Sequence, residues 1–162
     1  MRSYIRSIMG EAESGPGFVP KLRELLRGIE SRHGICATLT VSDALTDGII
    51  GHAAKLQLLR IIQEACANTA KHAGASHLWV SVERLGSVVE AVVRDDGKGF
   101  SVADEVAMAE EDAARASSGG LGLSIMRERA ERIGGDFTLR SAPGRGTEVR
   151  VCIPVRPDGG DS

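Results

Sequence analysis

The chain has 162 residues, of which 42% are hydrophobic, 26% charged and only 3% aromatic. This length suits a single domain with one sizeable, mostly aliphatic core. A formal net charge of −2 gives no electrostatic reason to expect a nucleic acid or an anionic membrane as a partner. No apolar run approaches the roughly 18 residues of a membrane span, and no hydrophobic stretch resembling a signal peptide follows the N-terminus. We therefore expect a cytoplasmic segment without membrane contact.

Hydrophobic periodicity predicts three main helices and five strands, preceded by a short helical piece at residues 2–9. In chain order these are a helix at 19–32, a strand at 35–41, a helix at 52–73, strands at 76–84 and 88–94, a helix at 120–133, and strands at 136–141 and 148–154. Because strands and helices do not alternate strictly, we predict an α+β fold, a two-layer sandwich. The polar, acidic segment 101–118 is interpreted as a mobile loop with some nascent helix.

The domain organisation follows from breakers and composition. Residues 14–17 are Ser-Gly-Pro-Gly, which is typical of a linker. We predict a helix remnant and linker at 1–17, one domain at 18–155, and a disordered polar tail at 156–162. The three cysteines, Cys36, Cys66 and Cys152, lie in apolar settings. Their odd number and spacing favour buried reduced thiols over disulfides or zinc.

The second predicted helix carries a row of polar residues on an otherwise apolar element. Glu64, Asn68 and the pair Lys71 and His72 are three or four positions apart, so they share one helix face. An Asn amide oxygen can bind Mg²⁺, which leaves room for phosphates and water. Glu64 could orient or deprotonate a hydroxyl nearby, and Lys71 or His72 could meet phosphate oxygens. A solvated helix face explains the same pattern about equally well.

Two glycine-rich signals follow. Asp95 ends a strand and precedes Gly97 and Gly99, and a buried carboxylate there could accept a hydrogen bond from an exocyclic amine such as that of adenine. Taken alone, an aspartate-glycine turn is the more common explanation. Residues 119–123 (Gly-Gly-Leu-Gly-Leu) open the third helix, where free amides and the helix dipole favour an anion. They form neither a Walker loop nor a dinucleotide fingerprint.

The order of these signals, completed by Gly146-Thr147, resembles that of the GHKL ATPase superfamily. Residues 64–75 resemble the N box of bacterial sensor histidine kinases. Residues 120–130 are similar to the G2 region of the nitrate-sensor and DesK-like subfamily. The resemblance covers roughly residues 19–155.

The resemblance implies a Bergerat-type ATP-binding fold, with a mixed sheet on one side, three helices on the other, and ATP beneath a lid at 101–118. Carried over by position, Asn68 would coordinate Mg²⁺ and Glu64 would be the catalytic residue. Asp95 would bind the adenine amine, supported by Thr147. The other implied ATP-binding positions are Lys71, His72, Gly97, Gly99, Phe100, Gly120, Leu121, Gly122 and Leu123.

One departure bears on function. Kinases of this kind phosphorylate a histidine in a His-Asp or His-Glu context on a dimerisation helix, and none of the four histidines here has that context. The chain therefore resembles a catalytic domain alone. Its expected partners are a dimerisation domain of the same kinase, whose parent protein could be membrane-anchored, and a downstream response regulator. The alternatives are a serine-kinase anti-sigma factor and a nucleotide-binding module without catalysis. Residues 126–129 and the N-terminal helix remnant argue against the first, and intact Glu64 and Asn68 against the second.

Overall fold

The computed structural model describes residues 17–42, 49–103 and 118–155, with only the backbone described at 118–121. The helices of this part are α1 (Phe18–His33), α2 (His52–Asn68) and α3 (Ser118–Arg132), and a π-helical turn, Thr69–Ala73, continues α2. The strands are β1 (Cys36–Val41), β2 (His77–Leu85), β3 (Val88–Asp95), β4 (Asp136–Ser141) and β5 (Thr147–Pro154). The predicted N-terminal helix at 2–9, most of the predicted lid and the tail from residue 156 lie outside the described residues.

The five strands form one mixed sheet in the order β1-β2-β3-β5-β4. Strand β1 runs parallel to β2, whereas the other neighbouring strands are antiparallel. The helices α1, α2 and α3 contact the sheet at β1, β3 and β4, respectively. The predicted two-layer α+β architecture is confirmed.

The core lies between the helices and one face of the sheet. Alternate residues of the central strands are buried, as period-2 patterning requires. Leu22, Leu26 and Ile29 of α1 and a stripe of α2 close this core from the other side. The stripe includes Leu58, Ile61, Ile62 and Ala65, whose spacing of three or four positions is that of one helix face. None of the described helices has both the length and the apolar character needed to cross a membrane.

Two helix boundaries differ from the sequence prediction. The predicted helix 52–73 is α-helical only to Asn68, because the Thr69 amide is shared between the carbonyls of Ala65 and Cys66 and the next turn is π-helical. Helix α3 begins at Ser118, two residues before the predicted start at Gly120, so Gly119 also lies inside its first turn. Single π turns inside helices often occur at functional sites.

The cysteines are free thiols, as predicted, but they are not all buried. Cys66 is buried in the core and Cys152 is half-buried. Cys36 is exposed, which corrects the prediction, because it opens the edge strand β1 at a position that alternates away from the core. Its apolar neighbours in sequence therefore say little about its own burial.

Candidate functional site

A cavity of about 230 Å³ lies between the end of α2, the π-helical turn and the adjoining ends of β3 and β5. Seven of the side chains and glycines singled out from the sequence line it: Asn68, His72, Asp95, Gly99, Phe100, Leu123 and Thr147. Five further residues complete the wall: Ala65, Thr69, Ala73, Lys98 and Val149. The three separate sequence signals therefore meet at one concave surface.

Asp95 is the buried acid of this cavity, with only 5% of its surface exposed. It follows Val89, Ala91 and Val93 at the core-facing positions of β3, so strand alternation directs its carboxylate into the interior. The Thr69 hydroxyl donates to Oδ2 at 2.9 Å, and the Gly97 amide donates to Oδ1 at 2.8 Å. Each carboxylate oxygen keeps lone pairs free for a ligand.

Thr147 is the cross-strand partner of Asp95 in the β3–β5 ladder. Its hydroxyl lies 3.0 Å from the Ser141 hydroxyl, which in turn donates to the Gly146 carbonyl at 2.9 Å. The Phe100 amide donates to the same Ser141 oxygen at 2.9 Å. This network ties the loop after β3 to the β4–β5 hairpin and so fixes the cavity wall.

Close backbone packing explains the glycines of the loop after β3. A Cβ on Gly97 would stand 2.5 Å from the Ala73 carbonyl oxygen, and the next amide, that of Lys98, donates to that oxygen at 2.8 Å. Gly99 has a φ of 64°, and a Cβ there would collide with the Ala142 carbonyl. A side chain at either position would push the loop away from its neighbours. The loop is thereby held against both the π-helical turn and the hairpin.

Asn68 lines the cavity one turn after Glu64, as the helical spacing predicts. Within the described part of the chain, neither side chain has a recorded hydrogen-bonding partner, and both are half-buried. Glu64 does not line the cavity but faces α3, where a Cβ on Gly122 would stand 2.5 Å from its Oε1. Lys71 is exposed and does not line the cavity either. The π-helical turn, which alters the angular spacing beyond Asn68, accounts for its divergence from the predicted common face.

The glycine cluster of α3 approaches the same region. Gly122 is buried against Glu64, and Leu123 lines the cavity. Gly120 and Leu121 lie in the first turn of α3, where only the backbone is described. The first four amides of a helix lack intrahelical partners, so this turn retains the donors expected of an anion site.

The sequence did not single out Thr69, Ser141 or Lys98. Thr69 directly follows Asn68, and its hydroxyl meets Asp95 across 26 positions of sequence. Ser141 ends β4 opposite Thr147. The only sequence signal for Thr69 was its position directly beside Asn68. The only signal for Ser141 was its place opposite Thr147, which requires knowledge of the strand register.

A second carboxylate, Asp96, points the other way. Its Oδ1 accepts the amides of Ser76 and His77 at 2.8 and 2.9 Å, and its Oδ2 lies 3.1 Å from Nδ1 of His77. The hydrogen bond from the His77 amide is the main cause that lowers the pKa of Asp96 below its ordinary value. Adjacent aspartates thus have separate tasks, since Asp95 faces the cavity and Asp96 anchors the start of β2.

Comparison with known proteins gives this arrangement a context. The family described as Histidine kinase-, DNA gyrase B-, and HSP90-like ATPase matches residues 53–157. The sensor histidine kinase LiaS of Bacillus subtilis (strain 168) is 32% identical over 159 residues, which make up 98% of this chain and 40% of that protein. The chain spans less than half the length of the curated relatives it matches.

Solved structures share the fold. The histidine kinase domain from the Erythrobacter litoralis EL346 blue-light activated histidine kinase has a TM-score of 0.65 at 17% identity, covering 94% of this chain and 69% of that chain. Full-length ShkA in complex with AMPPNP has a TM-score of 0.66 at 21% identity, covering 92% of this chain and 32% of that chain. At these identities the likeness establishes the fold and nothing finer.

Proposed function

Because the chain belongs to the histidine kinase-, DNA gyrase B- and HSP90-like ATPase family, we propose that it is the ATP-binding catalytic domain of a sensor histidine kinase. In this proposal it donates the ATP γ-phosphate to a histidine on a dimerisation domain that lies outside this sequence. The phosphorylated histidine would then supply a response regulator in two-component signalling. The similarity to sensor histidine kinases along 98% of the chain supports this reading over other branches of the family.

The observation that carries the proposal is the environment of Asp95. A carboxylate that is 5% exposed, with one donor fixed on each oxygen, is held rigidly at the wall of a cavity. Its remaining lone pairs can accept the exocyclic amine of adenine, whereas guanine would present a carbonyl oxygen there and be repelled. Phe100, Leu123 and Val149 supply apolar surface for the purine ring. We assign Asp95 as the adenine-recognising acid, with Thr147 and the loop glycines Gly97 and Gly99 in supporting roles.

The residues present fit a magnesium ion that arrives with the nucleotide. The described residues contain no cluster of three or more carboxylate, histidine or cysteine side chains that could hold a metal. Mg²⁺ commonly takes only one or two protein oxygens and completes its shell with phosphates and water. The Asn68 amide oxygen at the cavity suits that role. When bound, the ion would neutralise charge on the phosphates.

We propose Glu64 as the catalytic residue, acting on the attacking imidazole as a base or an orienting acceptor. The Glu64 carboxylate lies close against Gly122 of α3, where a Cβ would stand 2.5 Å from Oε1. His72, at the end of the π-helical turn, and the amides of Gly120 and Leu121, in the first turn of α3, would meet the phosphates. The imidazole nitrogen would attack the γ-phosphorus as the bond to the ADP oxygen breaks, so catalysis rests mainly on positioning.

The domain would work in the cytoplasm, where ATP is available, even if its parent kinase is anchored in a membrane. Phosphotransfer from radiolabelled ATP tests the proposal. We expect label on a separately supplied dimerisation domain of the parent kinase and none on this chain alone. Self-labelling of the chain, or no transfer to the acceptor domain, would contradict the assignment. Asp95→Asn serves as the variant that abolishes transfer through loss of ATP.

A further inference from the structure

The face of the sheet away from the helices carries a groove of about 460 Å³ at the same end as the nucleotide cavity. Cross-strand register builds it, because Trp79 pairs with Arg94, Arg94 with Glu148, and Glu148 with Arg140. These four residues form one row across β2, β3, β5 and β4. Arg145, on the β4–β5 hairpin, lines the groove at the end of the row. Asp95 and Thr147 line both this groove and the nucleotide cavity, and the other residues of the groove are not among those proposed above for ATP binding or catalysis.

The charged side chains of the neighbouring row of the sheet form ion pairs, whereas the arginines of this groove form none within the described residues. Arg150, one row further along β5, is paired with Glu90 at 3.1 Å and with Glu148 at 3.1 Å. These contacts raise the pKa of Arg150, with Glu90 as the first cause. Glu148 is therefore already paired with Arg150, and it forms no ion pair with its cross-strand neighbour Arg140.

The three arginines of the groove have no such neutralisation. Arg140 and Arg145 are exposed and make no ion pair within the part of the chain that the structure describes. The Arg94 guanidinium lies 5.0 Å from the centre of the Trp79 ring, a cation–π contact, and among the described residues it forms no ion pair. Two further acids line the groove: Asp96 is held by His77 and by two backbone amides, and the carboxylate of Asp95 accepts from Thr69 and Gly97. Three guanidinium groups around one groove are thus without a carboxylate partner in the part of the chain that the structure describes.

We propose that this arginine groove is a docking surface for an acidic segment of a partner protein. Planar guanidinium groups bind carboxylates through two parallel hydrogen bonds, which gives geometry as well as attraction. The groove is open and extends along a strand row, so it suits an extended peptide better than an enclosed small molecule. A nucleic acid fits poorly, because the Trp79 ring, the aromatic surface on which a base would stack, is already in contact with His77 and Arg94. The inference does not depend on the proposed function, since it uses the opposite face of the sheet.

Fluorescence anisotropy with a labelled peptide of alternating glutamate and glycine, about twelve residues long, tests this proposal. We expect the wild-type chain to bind the peptide with an affinity that falls as salt is raised. The double variant R140Q/R145Q should bind about ten-fold more weakly, as loss of two exposed charge-assisted contacts predicts. A peptide with glutamine in place of glutamate should not bind.

The matched control is Arg132→Gln, which removes one exposed arginine from α3 on the helical side. It should retain wild-type peptide binding, and all variants should keep the circular dichroism spectrum and ATP affinity of the wild type. Absence of binding to the wild type, equal loss in Arg132→Gln, or preferential binding of a single-stranded oligonucleotide would overturn the proposal. ATP affinity is measured in parallel, so a negative result for peptide binding does not bear on the proposed nucleotide site.

Discussion

The Thr69 hydroxyl donates to Asp95 Oδ2 across 2.9 Å and thereby joins the π-helical turn to the end of β3. The same oxygen lies 3.2 Å from the Ala65 carbonyl. A hydroxyl has one proton and both neighbours are acceptors, so it can donate to only one of them at a time. The shorter distance favours the carboxylate, and the consequence is a buried acid whose orientation is set from the helix layer.

Replacement of Thr69 tests this link. Thr69→Val keeps the shape but removes the donor, and we expect ATP affinity to fall about ten-fold because a hydrogen bond to a charged group is worth about 1.5–3 kcal/mol. Thr69→Ser keeps the hydroxyl and should stay close to wild type. Isothermal titration with ATP and Mg²⁺ gives both values. Equal affinity of the valine and serine variants would show that the hydroxyl does not orient Asp95.

The packing of Gly97 predicts a loss of stability on adding a single methyl group. A Cβ there would stand 2.5 Å from the Ala73 carbonyl, so Gly97→Ala should lower the free energy of unfolding by about 1–3 kcal/mol. Gly28→Ala is the matched control, since its nearest new contact would be 3.7 Å away in the middle of α1. That substitution should stabilise the chain by about 0.5–1 kcal/mol. Urea denaturation measures both, and a neutral Gly97→Ala would refute the close-packing account.

The anchoring of Asp96 predicts a specific dependence of stability on pH. Its folded-state pKa lies below the ordinary value of 3.8. A depressed pKa contributes stability that is present above the unfolded-state pKa and is lost as pH falls through the folded-state pKa. Asp96→Asn should therefore be less stable than wild type near neutral pH, with the difference shrinking as the solution is acidified below the ordinary value. Urea denaturation at a series of pH values follows this difference, and a constant difference would contradict the assignment.

Thiol labelling should rank the three cysteines by environment. Burial raises the pKa of Cys66 to about 12, so almost no thiolate is available and the group is also shielded from reagent. Burial is the first cause that raises the pKa of half-buried Cys152 as well. We expect a maleimide at mildly alkaline pH to modify exposed Cys36 first, Cys152 more slowly and Cys66 only on unfolding. Peptide mass spectrometry would locate the label, and early modification of Cys66 would contradict the core packing.

Much of the fold could be read from the sequence. The apolar stripes of α1 and α2 and the alternation in β2 and β3 follow local periodicity, which is why α1, β2, β3 and the start of α2 agree with prediction to within one or two residues. The π-helical turn could not be read in this way. It depends on contact between Thr69 and a strand end 26 positions away, and local spacing carries no information about that approach.

The same contrast between local sequence patterns and long-range contacts applies to the candidate site. Asn68, Asp95 and Thr147 stand at motif positions, and the structure brings them to one cavity as expected. Lys71 belongs to the same motif as Asn68, yet it is exposed and does not line the cavity, because the helix widens after Asn68. Ser141 and the arginine groove depend on which residues pair between neighbouring strands, and the sequence predicted the strands but not their register.

The central claim is that Asp95 selects the adenine ring at the cavity that Asn68 also lines. Competition of ATP and GTP against a fluorescent ATP analogue, for the wild type and for Asp95→Asn, tests it most directly. The account predicts that ATP displaces the analogue from the wild type at concentrations at least about 100-fold lower than GTP, because a mismatched buried polar site costs about 3 kcal/mol or more. Asp95→Asn should lose this preference while Asp96→Asn keeps it. Equal displacement by ATP and GTP from the wild-type chain would contradict the claim.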